Sequence, residues 1–132
     1  MEITWKYKMD VTDSGVFDEI GKERGIIFPT ELKDFILNTN ASTPSKYNFM
    51  IGNNERVLGA ILSFNHNESD VDSVFTALSV IDDKNLIPFG IDPFGNYICY
   101  SLNKKVVVFW DHETGNILST DASLTNFVES LY

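Results

Sequence analysis

Leu86-Ile87-Pro88-Phe89-Gly90-Ile91-Asp92-Pro93-Phe94-Gly95-Asn96-Tyr97-Ile98-Cys99-Tyr100 is the stretch on which the fold turns. Two apolar runs, Leu86 to Ile91 and Tyr97 to Leu102, flank the segment Asp92 to Asn96. That segment has turn chemistry: Gly95 takes a positive φ at no steric cost, and Asp and Asn bond their own backbone. The pattern predicts two strands joined by a turn. Pro88 has no amide hydrogen for a ladder, so it predicts an edge or a bulge in the first strand.

Downstream, Val106 to Trp110 reads as a further strand, with Asn103-Lys104-Lys105 as the tight connection. Asp111 to Asn116 is another turn, with Gly115 at its special position. Leu124, Phe127, Val128 and Leu131 then form one face of a C-terminal helix, capped by Ser123 or Thr120. Upstream, Val71, Val74, Phe75 and Leu78 recur at i, i+3, i+4 and i+7, which predicts a helix broken by Asp82-Asp83-Lys84-Asn85. Tyr47 to Ile51 and Val57 to Phe64 are strand candidates around Gly52-Asn53-Asn54, followed by an exposed polar tract from Asn65 to Asp70. Nearer the start, Val16, Phe17 and Ile20 predict a helix with Ser14 as cap and Gly25 as stop. Pro29 suits the opening of a second helix, with Leu32, Phe35 and Ile36 on its buried face and Asn38-Thr39-Asn40 at its end. Ser42-Thr43-Pro44-Ser45 reads as a loop. Trp5, Tyr7 and Met9 alternate with polar residues as in a short strand. This order gives an α+β fold, a mostly antiparallel central sheet flanked by helices. The length of 132 residues predicts a single domain over 1–132.

Composition bounds the function. The net charge is −9 and the pI near 4.5. Binding nucleic acid directly requires Lys and Arg to displace phosphate counterions, and anionic membrane surfaces also select basic chains. Both partners are therefore disfavoured, whereas a basic protein is attracted. The plainer reading of the charge is solubility. Cys99 is the one cysteine, so no internal disulfide can form, and its apolar surroundings predict a buried thiol. No signal-peptide layout and no membrane-length apolar stretch is present, so a cytoplasmic location is expected.

The residues offer little catalysis. His66 and His112 lack ligand-spaced partners, and neither C-x-x-C nor H-E-x-x-H occurs. No metal or other cofactor is therefore expected. G-x-S-x-G and glycine-rich phosphate loops are also missing. Asp92, Asp111 and His112 could serve chemistry only by converging in a pocket. Asp and Asn in such turns more often bond their own backbone.

The Leu86–Tyr100 stretch resembles the SUKH superfamily, also called the Smi–Knr family. Its members carry a run of the form IPFA-D-x-x-G-N-x-x-C/L; Gly90 stands here where alanine is common. Val108-Phe109-Trp110-Asp111-His112-Glu113 is similar to the family's tryptophan-aspartate-histidine step. Ile20 to Leu37, with Phe28-Pro29, and the helix around Leu124 to Leu131 look like its opening and closing elements. The resemblance implies an α+β fold with no known catalytic residue set. It also implies that Pro29, Pro88, Phe89, Asp92, Gly95, Asn96, Trp110 and Asp111 specify the fold, with Trp110 filling a large core site. Bacterial members are regarded as immunity proteins that bind and neutralise toxins, often nucleases. Fungal members are regulators of cell-wall synthesis acting through protein contacts.

Two expectations follow, beside the weaker enzyme reading. The first is a non-catalytic immunity protein whose partner is a basic toxin domain, with Glu68, Asp70, Asp72, Asp82 and Asp83 as candidate contacts. They are acidic, lie in polar segments and fall outside the fold motif; singly, each reads as a solvated charge. The second is a regulatory or scaffold domain of the fungal kind. Oligomeric state has no signature in the sequence.

Overall fold

The computed structural model describes residues 2–132. The chain runs β1 (Trp5–Lys6), α1 (Val16–Arg24), α2 (Thr30–Thr39), β2 (Thr43–Pro44), β3 (Asn48–Ile51), β4 (Asn54–Val57) and β5 (Ala60–Ile61). It continues through α3 (Val74–Val80), β6 (Leu86–Ile91), β7 (Tyr97–Ser101), β8 (Val106–Trp110), β9 (Ile117–Ser119) and α4 (Leu124–Ser130). β5 to β9 form one antiparallel sheet in sequence order, while β1–β2 and β3–β4 are separate two-stranded ribbons. The fold is α+β, as the order of elements predicts. Among the described residues no helix is long and apolar enough to cross a membrane.

β7 is the middle strand, and all five of its residues are buried. Neighbouring side chains alternate between faces, so both faces of this strand must be covered. Ile98 and Tyr100 share one face with Phe109 and Val107 of β8. That face receives α2 and α4. Phe35 of α2 meets Phe89 edge-on at 6.0 Å, and Phe127 of α4 meets Phe89 at 6.5 Å and Phe49 of β3 at 4.9 Å. The Arg56 guanidinium of β4 lies 4.6 Å from the centre of the Phe109 ring. Tyr97 and Cys99 occupy the opposite face, turned toward Asp72 and Arg24. Burial above all, with Asp83 adding to it and Arg24 opposing it, keeps the Cys99 thiol protonated far above its usual range.

Pro88 does not sit on an edge strand. β6 is flanked by β5 and β7, and the register shifts between Pro88 and Gly90. The bulge accommodates the missing donor and leaves the Phe89 carbonyl to accept from the Leu62 amide at 2.9 Å. Gly90, the departure from the family's alanine, has a steric cause. A Cβ there would lie 2.6 Å from Leu58 Cδ1 and 3.3 Å from Ile98 Cβ. Leu58 is fully buried and already fills the space.

Several local expectations change. Ser14 does not cap α1; Asp13 Oδ1 accepts the Gly15 amide at 2.9 Å, a turn bond two residues on that takes over the helix entry. Gly25 does stop α1, at φ 69°. Thr43–Pro44 is not loop but pairs with Trp5–Lys6. The expected strand Val57 to Phe64 divides, because consecutive amides bond different partners: Leu58 donates to Tyr47 at 2.7 Å, and Gly59 to Ile91 at 2.8 Å. α3 starts later than the periodicity predicts, since Ser73 caps it by accepting the Phe75 amide at 3.0 Å and leaves Val71 outside. Asn65 is buried, not exposed. Its Oδ1 accepts the Thr12 amide and its Nδ2 donates to the Asp10 carbonyl, both at 2.9 Å. Asn40 likewise accepts the Phe64 amide at 2.7 Å and donates to the Met9 carbonyl at 3.2 Å. These two amides tie the N-terminal segment to the core. β9 has no counterpart in the sequence reading.

The Leu58–Gly90 packing predicts a non-additive pair. Gly90→Ala should cost about 1–3 kcal/mol and Leu58→Val about 1 kcal/mol, measured by urea unfolding. The double variant should lose less than the sum, because the smaller side chain vacates the space the new methyl needs. Tyr100 generates a second expectation. It is buried and donates its hydroxyl to the Glu31 carboxylate. Burial first, then that bond, push the phenol from 10.0 to about 12. The folded state therefore holds the proton more tightly than the unfolded one. The Tyr100 contribution is intact below pH 10.0 and is lost as pH rises toward about 12. Urea midpoints across that range should fall more steeply for the native chain than for Tyr100→Phe.

Candidate partner-binding surface

α3 organises the candidate contacts. It has seven residues, which at 1.5 Å per residue makes it about 10 Å long. Glu68, Asp70 and Asp72 precede it, and Asp82 and Asp83 follow it. The five acids therefore bracket one short helix. Thr76, Ser79 and Val80 are exposed on that helix. Asp70, Asp72, Asp82 and Asp83 are exposed, whereas Glu68 is partly buried. None of the five forms an ion pair within 4.0 Å among the described residues. The approach to α3 is pinned by His66, whose ring stacks on Phe75 at 4.0 Å and meets Glu19 Oε1 at 2.9 Å.

The five are not equivalent. Asp83 is committed to structure: its Oδ1 accepts the Asn85 amide at 2.9 Å, and its carbonyl accepts from Arg24 at 2.9 Å. Glu68, Asp70, Asp72 and Asp82 make no side-chain hydrogen bond among the described residues. Their carboxylates are available to a partner.

Arg24, which the sequence reading passed over, is the key to this surface. Its side chain is buried and carries a charge without a salt bridge. The guanidinium donates to four carbonyls: Leu78 at 3.2 Å, Ile81 at 2.7 Å, Asp83 at 2.9 Å and Leu86 at 3.4 Å. These carbonyls lie where α3 ends and β6 begins, and among the described residues only that of Asp83 has another donor, the Leu86 amide at 3.1 Å, so one planar fork closes the helix and complements its dipole. Burial lowers the Arg24 pKa, and the charges of Glu23, Asp83 and Asp82 oppose that fall. Asp82 and Asp83 thus offset a buried cation as well as facing solvent. A basic residue in the last turn of a helix was the available signal, but such a residue ordinarily reads as solvated.

The fold-motif residues belong to elements other than α3. Pro29 stands at the N-cap of α2 with φ −63°. Phe89 is fully buried. Asp92 Oδ1 accepts the amides of Phe94 and Asn96 at 2.9 and 2.8 Å, and its Oδ2 accepts Asn96 Nδ2 at 2.9 Å. Gly95 has φ 88°. Because Asn96 donates through Nδ2, its Oδ1 is the acceptor for the His112 amide at 3.0 Å and for His112 Nδ1 at 2.7 Å. His112 Nδ1 therefore carries a hydrogen. Asp111 Oδ1 accepts the Glu113 amide at 2.8 Å. Asp92 Oδ1 and Asp111 Oδ1 are thus both spent on turn backbone amides. Trp110 does not fill a large core site. It is partly buried, 5.9 Å from Tyr97, because β9 beyond it is too short to bury the sheet's margin.

The family described as SMI1-KNR4 cell-wall, of the SUKH group, matches residues 17–128. The chain belongs to the SUKH superfamily. No curated protein matches it significantly. The match spans α1 to α4, so this SUKH chain includes every element that positions the α3 surface. Membership is consistent with an immunity-like, protein-binding role.

The Arg24 clamp predicts a stability loss. Arg24→Met leaves buried carbonyls at Ile81 and Leu86 without donors and should cost about 3 kcal/mol in urea unfolding. Arg24→Lys should recover less than half, since a single ammonium cannot span the fork.

Proposed function

We propose that this protein is an immunity protein that neutralises a cognate toxin by stoichiometric binding. Its partner is a basic protein domain, and a nuclease fits because a nucleic-acid channel must be positive. The observation that carries the reading is the pairing of SUKH membership with an acidic surface around α3 whose carboxylates make no ion pair within 4.0 Å among the described residues. Glu68, Asp70, Asp72 and Asp82 are the proposed contacts. Asp83 contributes charge but is held by the Asn85 amide. Binding of this kind occludes or distorts the toxin and requires no chemistry from the immunity protein. A cytoplasmic site of action suits that role. The second reading is a regulatory binder, favoured by the cell-wall description of the matched family.

The test is co-expression with the toxin domain encoded beside the gene, followed by pull-down and a growth assay. A stoichiometric complex that abolishes toxicity is the expected outcome. Capture of a housekeeping enzyme instead, with no rescue from toxicity, would establish the regulatory reading. Reversal of Glu68, Asp70, Asp72 and Asp82 to Lys should slow association about tenfold or more at low salt, with the difference shrinking as salt is added. Unchanged association at low salt would remove these residues from the interface.

A further inference from the structure

β9 lies at the open edge of the five-stranded sheet. It pairs with β8 in the register Val108↔Ser119, Phe109↔Leu118 and Trp110↔Ile117. The Asp111 amide donates to the Asn116 carbonyl at 2.9 Å, and the Thr120 amide to the Val107 carbonyl at 3.0 Å. Hydrogen-bonded positions alternate along an antiparallel strand, so Asn116, Leu118 and Thr120 face β8. The backbone N–H and C=O groups of Ile117 and Ser119 point away from it. Such groups template another strand, and proteins usually guard them with Lys, Pro or a bulge. Ile117-Leu118-Ser119 has no such guard, and Ile117 and Leu118 are 44% and 37% exposed. The sheet row Ile91, Tyr97, Trp110, Ile117 ends at this margin, with Trp110 only partly covered.

We propose that the β9 edge accepts an extended, basic segment of a partner protein by strand addition. The proposal rests on the protein-binding reading above, though on a surface other than α3. Charge selects the occupant. Lys104 of the β7–β8 turn shares a hollow with Ile117 and Ser119, but no Lys or Arg occurs after Lys105, whereas Asp111, Glu113, Asp121 and Glu129 do. Glu113 and Asp121 are exposed and flank β9 on either side. A second copy paired antiparallel edge to edge would bring Glu113 of each copy toward Asp121 of the other, which is unfavourable. A segment with basic flanks is attracted, its backbone pairs with Ile117 and Ser119, and an apolar centre covers Ile117 and Leu118.

The probe is a short blocked peptide with a Val-Ile-Val centre and lysines at both ends, titrated into the isotopically labelled full chain. Amide hydrogen exchange at Ile117 and Ser119 should slow by about tenfold or more, with inter-strand contacts from both residues to the peptide. Ile117→Pro removes an outward donor while keeping the groups that face β8, and should abolish this protection. Glu113→Lys leaves the backbone intact and should weaken binding in a chain that remains folded. The same peptide with glutamates replacing lysines should not bind. Absence of binding, or binding that leaves Ile117 and Ser119 unprotected, overturns the proposal. So does protection that grows with protein concentration without peptide, which would make a second copy the occupant. No toxin enters the experiment, so its failure and a failure of toxin neutralisation are separable.

Discussion

Everything in this molecule is arranged around the need to keep β7 dry on both sides. A strand with five buried residues cannot face water on either surface, and a single layer of helices cannot serve both. α2 and α4 cover the Ile98 and Tyr100 face through the Phe35–Phe89–Phe127 contacts. The end of α1 and α3 answer on the Cys99 side. The bulge at Pro88 and the glycine at position 90 belong to the same requirement, since they let β6 pass close to Leu58 and Ile98 without a clash.

The second face carries a cost, and Arg24 meets it. α3 is short, and its last carbonyls turn into the interior where water cannot reach them. One guanidinium donates to four of the carbonyls where α3 ends and β6 begins. That leaves a positive charge under the surface and explains why acids over it are tolerated. The acidity near Asp82 and Asp83 is partly a response to the inside of the protein. The acids before α3 have no such internal counterpart.

Legibility followed the strength of local chemistry. The strands around Asp92 to Asn96 could be read because turn residues and apolar runs coincide there. The helices could be read from period, down to the stop at Gly25. β9 could not, because Ile-Leu-Ser is too short and too exposed to carry a pattern, and only β8 makes it a strand. The ribbon between Trp5–Lys6 and Thr43–Pro44 depends on residues far apart in sequence. Asn40 and Asn65 look like loop residues until their burial is seen. At the candidate surface the acids were visible in the sequence. Their gathering at the two ends of one helix, and the loss of Asp83 to backbone duty, required the fold. Arg24 was hidden for a simple reason: a charged residue at a helix end is ordinarily solvated, and only tertiary packing makes it the exception.

The solitary thiol has a use that follows from where it sits. Cys99 is in the centre of β7, fully buried, with its proton held tightly. No reagent can meet its sulfur while the sheet is closed, and local fraying at the termini does not uncover it. Its chemical modification therefore requires the middle of the sheet to part. Where closing is fast relative to the reaction, the labelling rate reports the population of that open state; where it is slow, it reports how often the opening happens. The chain carries a built-in clock for cooperative opening that needs no added probe.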